Sequence, residues 1–270
     1  GWSMAPREPG LFKKIVDGRE LLLAVYVDDN LISCDSKSVM EKEMQLILKA
    51  FPGKVLENPT DASGNVIMDL LGATLYYNQE KRTCHIDMKS AIEKLLSKFK
   101  MSDCKSLGVP ITHQPEDKDS PLNDKFPIRS LVGGLQYIAS SCRADIAYAT
   151  NRVARDMSKC TDATVNSAKR ILRYLKGTMD QGITYTPSKE KDFRQVYGEV
   201  VAKGTGGSLP DTVAFADADF AGDTVTLRST SGCILYHRGT PIVWSSKRQS
   251  IRALSTCESE YVALYDTIRL

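Results

Sequence analysis

Apolar and basic residues mix over Phe12–Val16, Asp17-Gly18 follows, and a continuous apolar run covers Leu21–Val27. This pattern predicts a β-hairpin closed by a two-residue turn. Asp28-Asp29-Asn30 interrupts the apolar run before Leu31-Ile32 resumes it, which predicts a second tight turn with the two aspartates at or beside it. Ser38 with Glu41 reads as a capping box opening a helix, with Met40, Met44, Ile47, Leu48 and Phe51 as its apolar stripe and Pro52-Gly53 as its end. Gly72–Tyr77 and Thr83–Ile86 read as a strand pair. A short amphipathic helix follows, with Ile92, Leu95, Leu96 and Phe99 on one face. His113–Asn123 is polar and carries two prolines, as a linker or exposed loop would. Three helical patterns come next, over 129–140, 143–158 and 163–176, and Gly182–Tyr185 is strand-like. Thr186–Pro210, with its glycine-rich tract at 204–207, reads as a surface insertion at a domain boundary. The period then changes: Val213–Ala216, Gly232–Tyr236 and Pro241–Ser245 are short strands, and a helix begins at Cys257.

A chain of 270 residues with 42% hydrophobic and 26% charged residues and a mean hydropathy of -0.26 has the composition of a globular protein. The longest apolar run, Leu21–Val27, is seven residues, against roughly twenty for a membrane span. No membrane association is expected. Gly1–Pro9 lacks the features of a signal or transit peptide, so secretion is not expected either. Seven scattered cysteines without a C-x-x-C pair, beside three histidines, argue against a disulfide framework and a zinc site. No phosphate-cradling glycine motif or nucleophile elbow is present. The net charge of +3 is small, but Arg152–Lys176 holds seven basic and two acidic residues. Such a stretch is either a solvated helix face or a contact for a polyanion.

Two constellations carry candidate chemistry. Tyr26-Val27-Asp28-Asp29 puts adjacent carboxylates on a turn between buried strands, where they can present hard oxygen ligands to a divalent cation; ordinary turn chemistry is the alternative. In Phe215–Asp223, Asp217 and Asp219 share one face of a strand. Glu258 and Glu260 lie near the start of the last helix, about 200° apart around it, so only one of them can face that strand. The residues alone do not choose between the two aspartates or between the two glutamates.

Read in series, the blocks are similar to the polymerase region of a copia-type LTR retrotransposon. They are Glu8-Pro9-Gly10-Leu11-Phe12, Tyr26-Val27-Asp28-Asp29, Arg129–Tyr137, Arg143–Ala149, Ala168–Thr178, Asp217–Asp223, Arg228–Gly232, Trp244-Ser245-Ser246-Lys247 and Glu258-Ser259-Glu260-Tyr261. The resemblance implies an α+β chain: a partial reverse transcriptase palm and thumb/connection, then an incomplete ribonuclease H-like α/β domain. The palm and thumb part would be 1–112, a linker 113–128, a helical connection segment 129–185, an insertion or loop 186–210, and the ribonuclease H-like part 211–270. By that resemblance Asp28 and Asp29 match the paired palm aspartates, Asp217 the first-strand aspartate of ribonuclease H and Glu260 its first-helix glutamate. These four would be catalytic and would hold magnesium in two-ion sites. RNA template, DNA primer and RNA–DNA hybrid would be the partners, with Lys169, Arg170, Arg173 and Lys176 gripping phosphates, and the setting would be intracellular, in a cytoplasmic particle or the nucleus. The oligomeric state stays open.

Several departures bear on that expectation. Upstream of Tyr26 the only aspartate is Asp17, already assigned to a turn, and after Glu260 the only one is Asp266, about 240° away around the same helix. Ala144 stands where the family usually has proline. The stretch 186–210 looks foreign to the pattern, and its Glu190, Asp192 and Glu199 form no motif. The expectation is a polyprotein fragment that is inactive as an isolated chain. The alternatives are a non-catalytic nucleic-acid-binding remnant and a piece that does not fold.

Overall fold

The computed structural model describes residues 1–112 and 120–269 and divides the chain into two compact units, Gly1–Pro59 and the residues from Thr60 onward. Residues 113–119 of the expected linker lie outside the described residues. Helices and antiparallel sheets occur together in each unit, so the class is α+β.

The first unit is an antiparallel meander of β1 (Ser3–Ala5), β2 (Glu8–Val16), β3 (Arg19–Tyr26) and β4 (Asp29–Cys34), followed by α1 (Lys37–Ala50). Asp17 and Gly18 both take positive φ, 51° and 75°, as a two-residue turn matched to strand twist requires. Lys14, opposite Leu21 in the register, reaches across to the buried Glu43 of α1 at 2.7 Å. That contact places α1 on the face of Leu21, Leu23 and Val25 rather than that of Leu22, Ala24 and Tyr26. Gly10 is explained by close approach, since a Cβ there would lie 2.8 Å from the Val25 carbonyl oxygen. The expected Ser38–Glu41 capping box does not form. Backbone at Ser36 is extended and turns helical at Lys37, so Ser36 takes the N-cap position and its hydroxyl meets that of Ser38 at 3.2 Å. Phe51 follows the helix in extended backbone and is 74% exposed, outside the stripe assigned to it.

The second unit begins with an antiparallel sheet of β5 (Val66–Leu70), β6 (Ala73–Asn78), β7 (Thr83–Asp87) and β8 (Ile183–Tyr185). β5 was not among the predicted strands. Packed with this sheet are α2 (Lys89–Lys98), α3 (Ile128–Ser141), α4 (Ala147–Arg155) and α5 (Asp162–Gly177), whose apolar faces make one core around Ile92, Leu131, Leu135, Ile146, Ile171 and Leu172. β8 comes so close to β7 that a Cβ on Gly182 would fall 2.0 Å from the Ile86 carbonyl oxygen. The pattern over 143–158 is not one helix. α4 is flanked by 3-10 turns at Ala144–Ile146 and Met157–Lys159.

The first of those turns is held by a buried latch. Arg143, 1% exposed, donates from Nε and Nη2 to the two carboxylate oxygens of Asp145 at 2.9 and 2.7 Å. It also donates from Nη1 and Nη2 to the carbonyl and hydroxyl of Thr178 at 2.8 and 2.6 Å, and Tyr174 donates to Asp145 at 2.7 Å. The motif Arg143-Ala144-Asp145 therefore ties the entry of α4 to the exit of α5. At its other end α5 opens on a capping box between Thr161 and Thr164.

The segment 186–210, expected to be an insertion or loop, contains the 19-residue helix α6 (Pro187–Thr205). Proline in its first turn and Gly206 in left-handed conformation at its end are ordinary helix boundaries, and its aromatic residues supply the packing. Phe193 and Tyr197 pack on Phe215 and Tyr236 of a second sheet, with ring centroids 5.2 to 6.4 Å apart. This sheet consists of β9 (Thr212–Asp219), β10 (Thr230–His237) and β11 (Thr240–Arg248) in the order β11-β10-β9, and α7 (Thr256–Ile268) follows it.

Candidate functional site

Asp28 and Asp29 sit where the pattern put them. Tyr26 pairs with Asp29 across the β3–β4 hairpin, leaving Val27 and Asp28 as the turn. Val27 holds φ at 53° with 82% of its surface exposed. A β-branched residue in left-handed backbone is strained, by roughly 1–3 kcal/mol, and is tolerated here because the paired strands on both sides dictate the turn. Both aspartates are exposed, and among the described residues no hydrogen bond or ion pair engages either carboxylate. The hairpin thus presents two adjacent carboxylates on a rigid base.

Asp217 and Asp219 lie on the same face of β9, opposite Gly232 and Thr230 of β10. That face borders a cavity of about 350 Å³ whose far wall is Ala144, Ala147 and Tyr148. The two aspartates have different surroundings. Asp219 accepts from the Gly222 backbone N–H at 2.9 Å, and a Cβ on Gly222 would fall 2.1 Å from its carboxylate oxygens, so Asp219 is built into the loop that follows the strand. Asp217 has no such partner among the described residues and opens toward the cavity.

The two glutamates also differ. Glu258 accepts from the Leu254 backbone N–H at 2.6 Å, while its own N–H donates to the Ser255 hydroxyl at the start of α7. It is a capping residue. Glu260 is exposed. α7 packs on the opposite face of the sheet from the cavity: Ser231, one residue from both Thr230 and Gly232, donates to Asp266 at 3.3 Å, and Gln249 donates to the Ser259 carbonyl at 2.8 Å. Glu260 is therefore not brought into the Asp217 cavity, and Asp266 is spent on the sheet.

Carboxylates are the hard oxygen donors that magnesium takes. Among the described residues, however, no group of three or more His, Cys, Asp or Glu side chains converges to hold a metal ion. Donor chemistry fits the metal and donor number does not.

Three of the four basic residues of α5 have structural partners. Lys169 lies over the Phe126 ring at 5.3 Å, Arg173 donates to the Lys105 carbonyl at 2.7 Å, and Lys176 donates to the Cys104 carbonyl at 2.7 Å. The Nε of Arg170 is buried without a hydrogen-bond partner. These side chains hold the 104–107 and 126 segments against α5, which a count of charges along the chain cannot reveal.

Sequence reasoning also passed over Asp223. It is buried, accepts from the Val225 and Thr226 backbone N–H groups, and takes the Arg248 guanidinium at 2.6 Å. Burial acts to raise its carboxyl, but those bonds hold it well below the ordinary range. Its place in the Asp217–Asp223 block was the only signal. No helix is long and apolar enough to cross a membrane among the described residues.

Comparison with known proteins is consistent across the chain. It is 32% identical over 254 residues to a retrovirus-related Pol polyprotein from transposon RE2 of Arabidopsis thaliana, and 29% identical over 265 residues to one from transposon TNT 1-94 of Nicotiana tabacum. These alignments cover 93% and 95% of this chain but 15% and 18% of the two polyproteins. An uncharacterised mitochondrial protein of Arabidopsis thaliana is 30% identical over 246 residues, 90% of either chain. No protein-family model matches the chain, and no solved structure matches it. The chain belongs to the Pol polyproteins of copia-type retrotransposons, corresponding to part of their polymerase region.

Proposed function

We propose that this chain is the part of a retrotransposon Pol polyprotein that spans the reverse transcriptase palm hairpin, the thumb and connection helices, and the opening strands and first helix of ribonuclease H. The observation that carries the reading is the Asp28–Asp29 pair at the tip of a rigid hairpin, in a chain similar to Pol polyproteins over more than nine-tenths of its length. The parent activity would be the copying of RNA into DNA and the cleavage of the RNA strand of the hybrid, with RNA template, DNA primer and hybrid as partners. In the parent, Asp28, Asp29 and Asp217 would contribute carboxylates to magnesium sites; Glu260, which this structure does not bring into the Asp217 cavity, would join them only with α7 placed differently. Among the described residues too few donors converge for such a centre; further ligands would complete it in the parent, and the chain by itself would be inactive. Lys169, Arg170, Arg173 and Lys176 would add positive potential toward the nucleic acid while holding the fold together.

The test joins the chain to the remaining Pol segments of a similar polyprotein and measures primer extension on an RNA template. Activity is expected, is expected to vanish with Asp28→Asn, and should be nearly unchanged by Asp217→Asn. A joined protein that extends primers equally well with Asp28→Asn overturns the assignment of the hairpin.

A further inference from the structure

The end of α2, the start of α3 and the middle of α5 bring basic residues onto one surface. Lys98 donates from Nζ to the Ser130 hydroxyl at 2.8 Å and lies 6.0 Å from the centre of the Phe99 ring. That ring is 5.8 Å from Phe126, over which Lys169 lies at 5.3 Å. Each step is 6.0 Å or less, so Lys100, Lys125 and Arg129, the chain neighbours of Phe99, Phe126 and Ser130, belong to the same patch. Lys98, Lys100, Lys125 and Arg129 are all exposed. Residues 93–105 and 123–130 together hold six basic residues against three acidic ones, and Lys169 adds a further positive charge. Lys98 is met by a neutral hydroxyl, and among the described residues no carboxylate pairs with it or with Lys100, Lys125 or Arg129. Other helices match such cations with an acid one turn away, as in Lys37–Glu41 of α1 and Arg194–Glu190 and Lys203–Glu199 of α6.

Two of these cations sit against the preference of their own element. The Lys100 backbone N–H donates to the Ser97 carbonyl at 3.0 Å and that of Met101 to the Leu96 carbonyl at 2.8 Å, a closure of α2 whose left-handed position favours glycine. Lys100 occupies that position with φ at 56°. Arg129 lies in the first turn of α3, where the helix dipole disfavours a cation and no acidic residue offsets it. Helix stability therefore accounts for neither residue. Lys98, in the last turn of α2, is the one that the dipole favours. Attachment to a bilayer would need an apolar face beside the charges, whereas Phe99 and Phe126 are packed against the core. What the patch offers is ammonium and guanidinium groups in water, which suit phosphate oxygens.

We propose that Lys98, Lys100, Lys125 and Arg129, held together by the Phe99–Phe126 contact and the Lys98–Ser130 bond, form a surface that binds the phosphodiester backbone of a nucleic acid. The choice of nucleic acid among polyanions rests on the proposed function; the surface itself rests on the unmatched charges and on where Lys100 and Arg129 sit.

The experiment uses the full chain and a short RNA–DNA hybrid carrying a fluorophore, with anisotropy read across about 50 to about 200 mM salt. Each phosphate contact adds about 0.9 to the slope of log affinity against log salt, so replacing all four residues by Gln should flatten the slope by about 3.6. Lys100→Gly alone removes one charge and supplies the residue that the left-handed position favours, so it should flatten the slope by about 0.9 and melt no lower than the parent. Lys203→Gln, at a basic residue already matched by Glu199, should leave the slope unchanged. A four-site Gln variant that melts cooperatively yet keeps the parent slope overturns the proposal. Should that variant fail to fold, Lys100→Gly is read by itself, and the parent slope there overturns it. A Lys203→Gln protein that loses as much slope as Lys100→Gly also overturns it, since net charge alone would then be responsible. So does a parent chain that leaves the hybrid free, whether or not it binds vesicles containing phosphatidylserine. Failure of the joined polyprotein to extend primers, with the slope still dependent on these four residues, would instead count against the functional reading and leave this surface standing.

Discussion

The Arg143–Asp145 latch makes a sharp test of how this fold is held. Replacing Arg143 by Met keeps the bulk of the side-chain stem and removes four donated hydrogen bonds, two of them to a carboxylate. Bonds to charged groups are worth about 1.5–3 kcal/mol each, but the desolvation of a buried guanidinium, several kcal/mol, is recovered when it is removed, and these terms do not add. Breaking one side of a buried pair costs about 3–5 kcal/mol; because the Asp145 side chain is 35% exposed and keeps the Tyr174 hydroxyl, about 3 kcal/mol, the low end, is the value expected here. In a unit of this size 1 kcal/mol moves the Tm by about 2–4 °C, so Arg143→Met should lower it by about 6–12 °C at neutral pH.

Asp145 gives the pH dependence. Burial acts to raise its carboxyl, but the Arg143 and Tyr174 hydrogen bonds and the Arg143 charge outweigh it and hold the group below its ordinary value. A lowered folded pKa stabilises above the unfolded value, near 4, and that stabilisation is lost as pH falls through the folded value. The gap between parent and Arg143→Met, measured by calorimetry or circular dichroism, should therefore be full at neutral pH and narrow below about pH 4. Adding Asp145→Leu to Arg143→Met should recover part of the loss, since a buried pair replaced on both sides leaves no uncompensated charge. An Arg143→Met protein melting within about 2 °C of the parent, less than 1 kcal/mol, would refute the reasoning.

Gly182→Ala should destabilise by about 1–3 kcal/mol or more, because the added methyl meets the Ile86 carbonyl in the backbone of a paired strand and one strand must shift; an unchanged thermal midpoint would show that β8 yields freely. All seven cysteines are free thiols; Cys257 is exposed, and Cys142 is buried with its thiol pushed up to about 11, chiefly by burial. Mass spectrometry after a brief pulse of alkylating reagent at neutral pH should find Cys257 modified and Cys142 protected until denaturant is added, and equal labelling of the two would contradict the packing of Cys142.

Much of the local structure was legible in the sequence because it is written in short-range terms. Asp17-Gly18 supplies the positive φ a tight hairpin needs, and the Leu21–Val27 run, the stripe Ile92, Leu95 and Leu96, and the change to strand period after Val213 each specify an element by themselves. The position of Asp28 at a hairpin tip follows from the same logic. What required the tertiary structure was every property that depends on a distant partner. α6 has glycines and scattered charges that read as a loop, and it is a helix that packs through Phe193 and Tyr197 onto rings that arrive with another sheet. Asp217 and Asp219, equivalent by strand alternation, differ because Gly222 folds back onto only one of them. The basic residues of α5 look like a free charged face until the carbonyls of Cys104 and Lys105 are brought beneath them. Periodicity specifies which face of an element is apolar, but which groups meet a given charge is settled only when chain segments far apart in sequence share the same low-dielectric space.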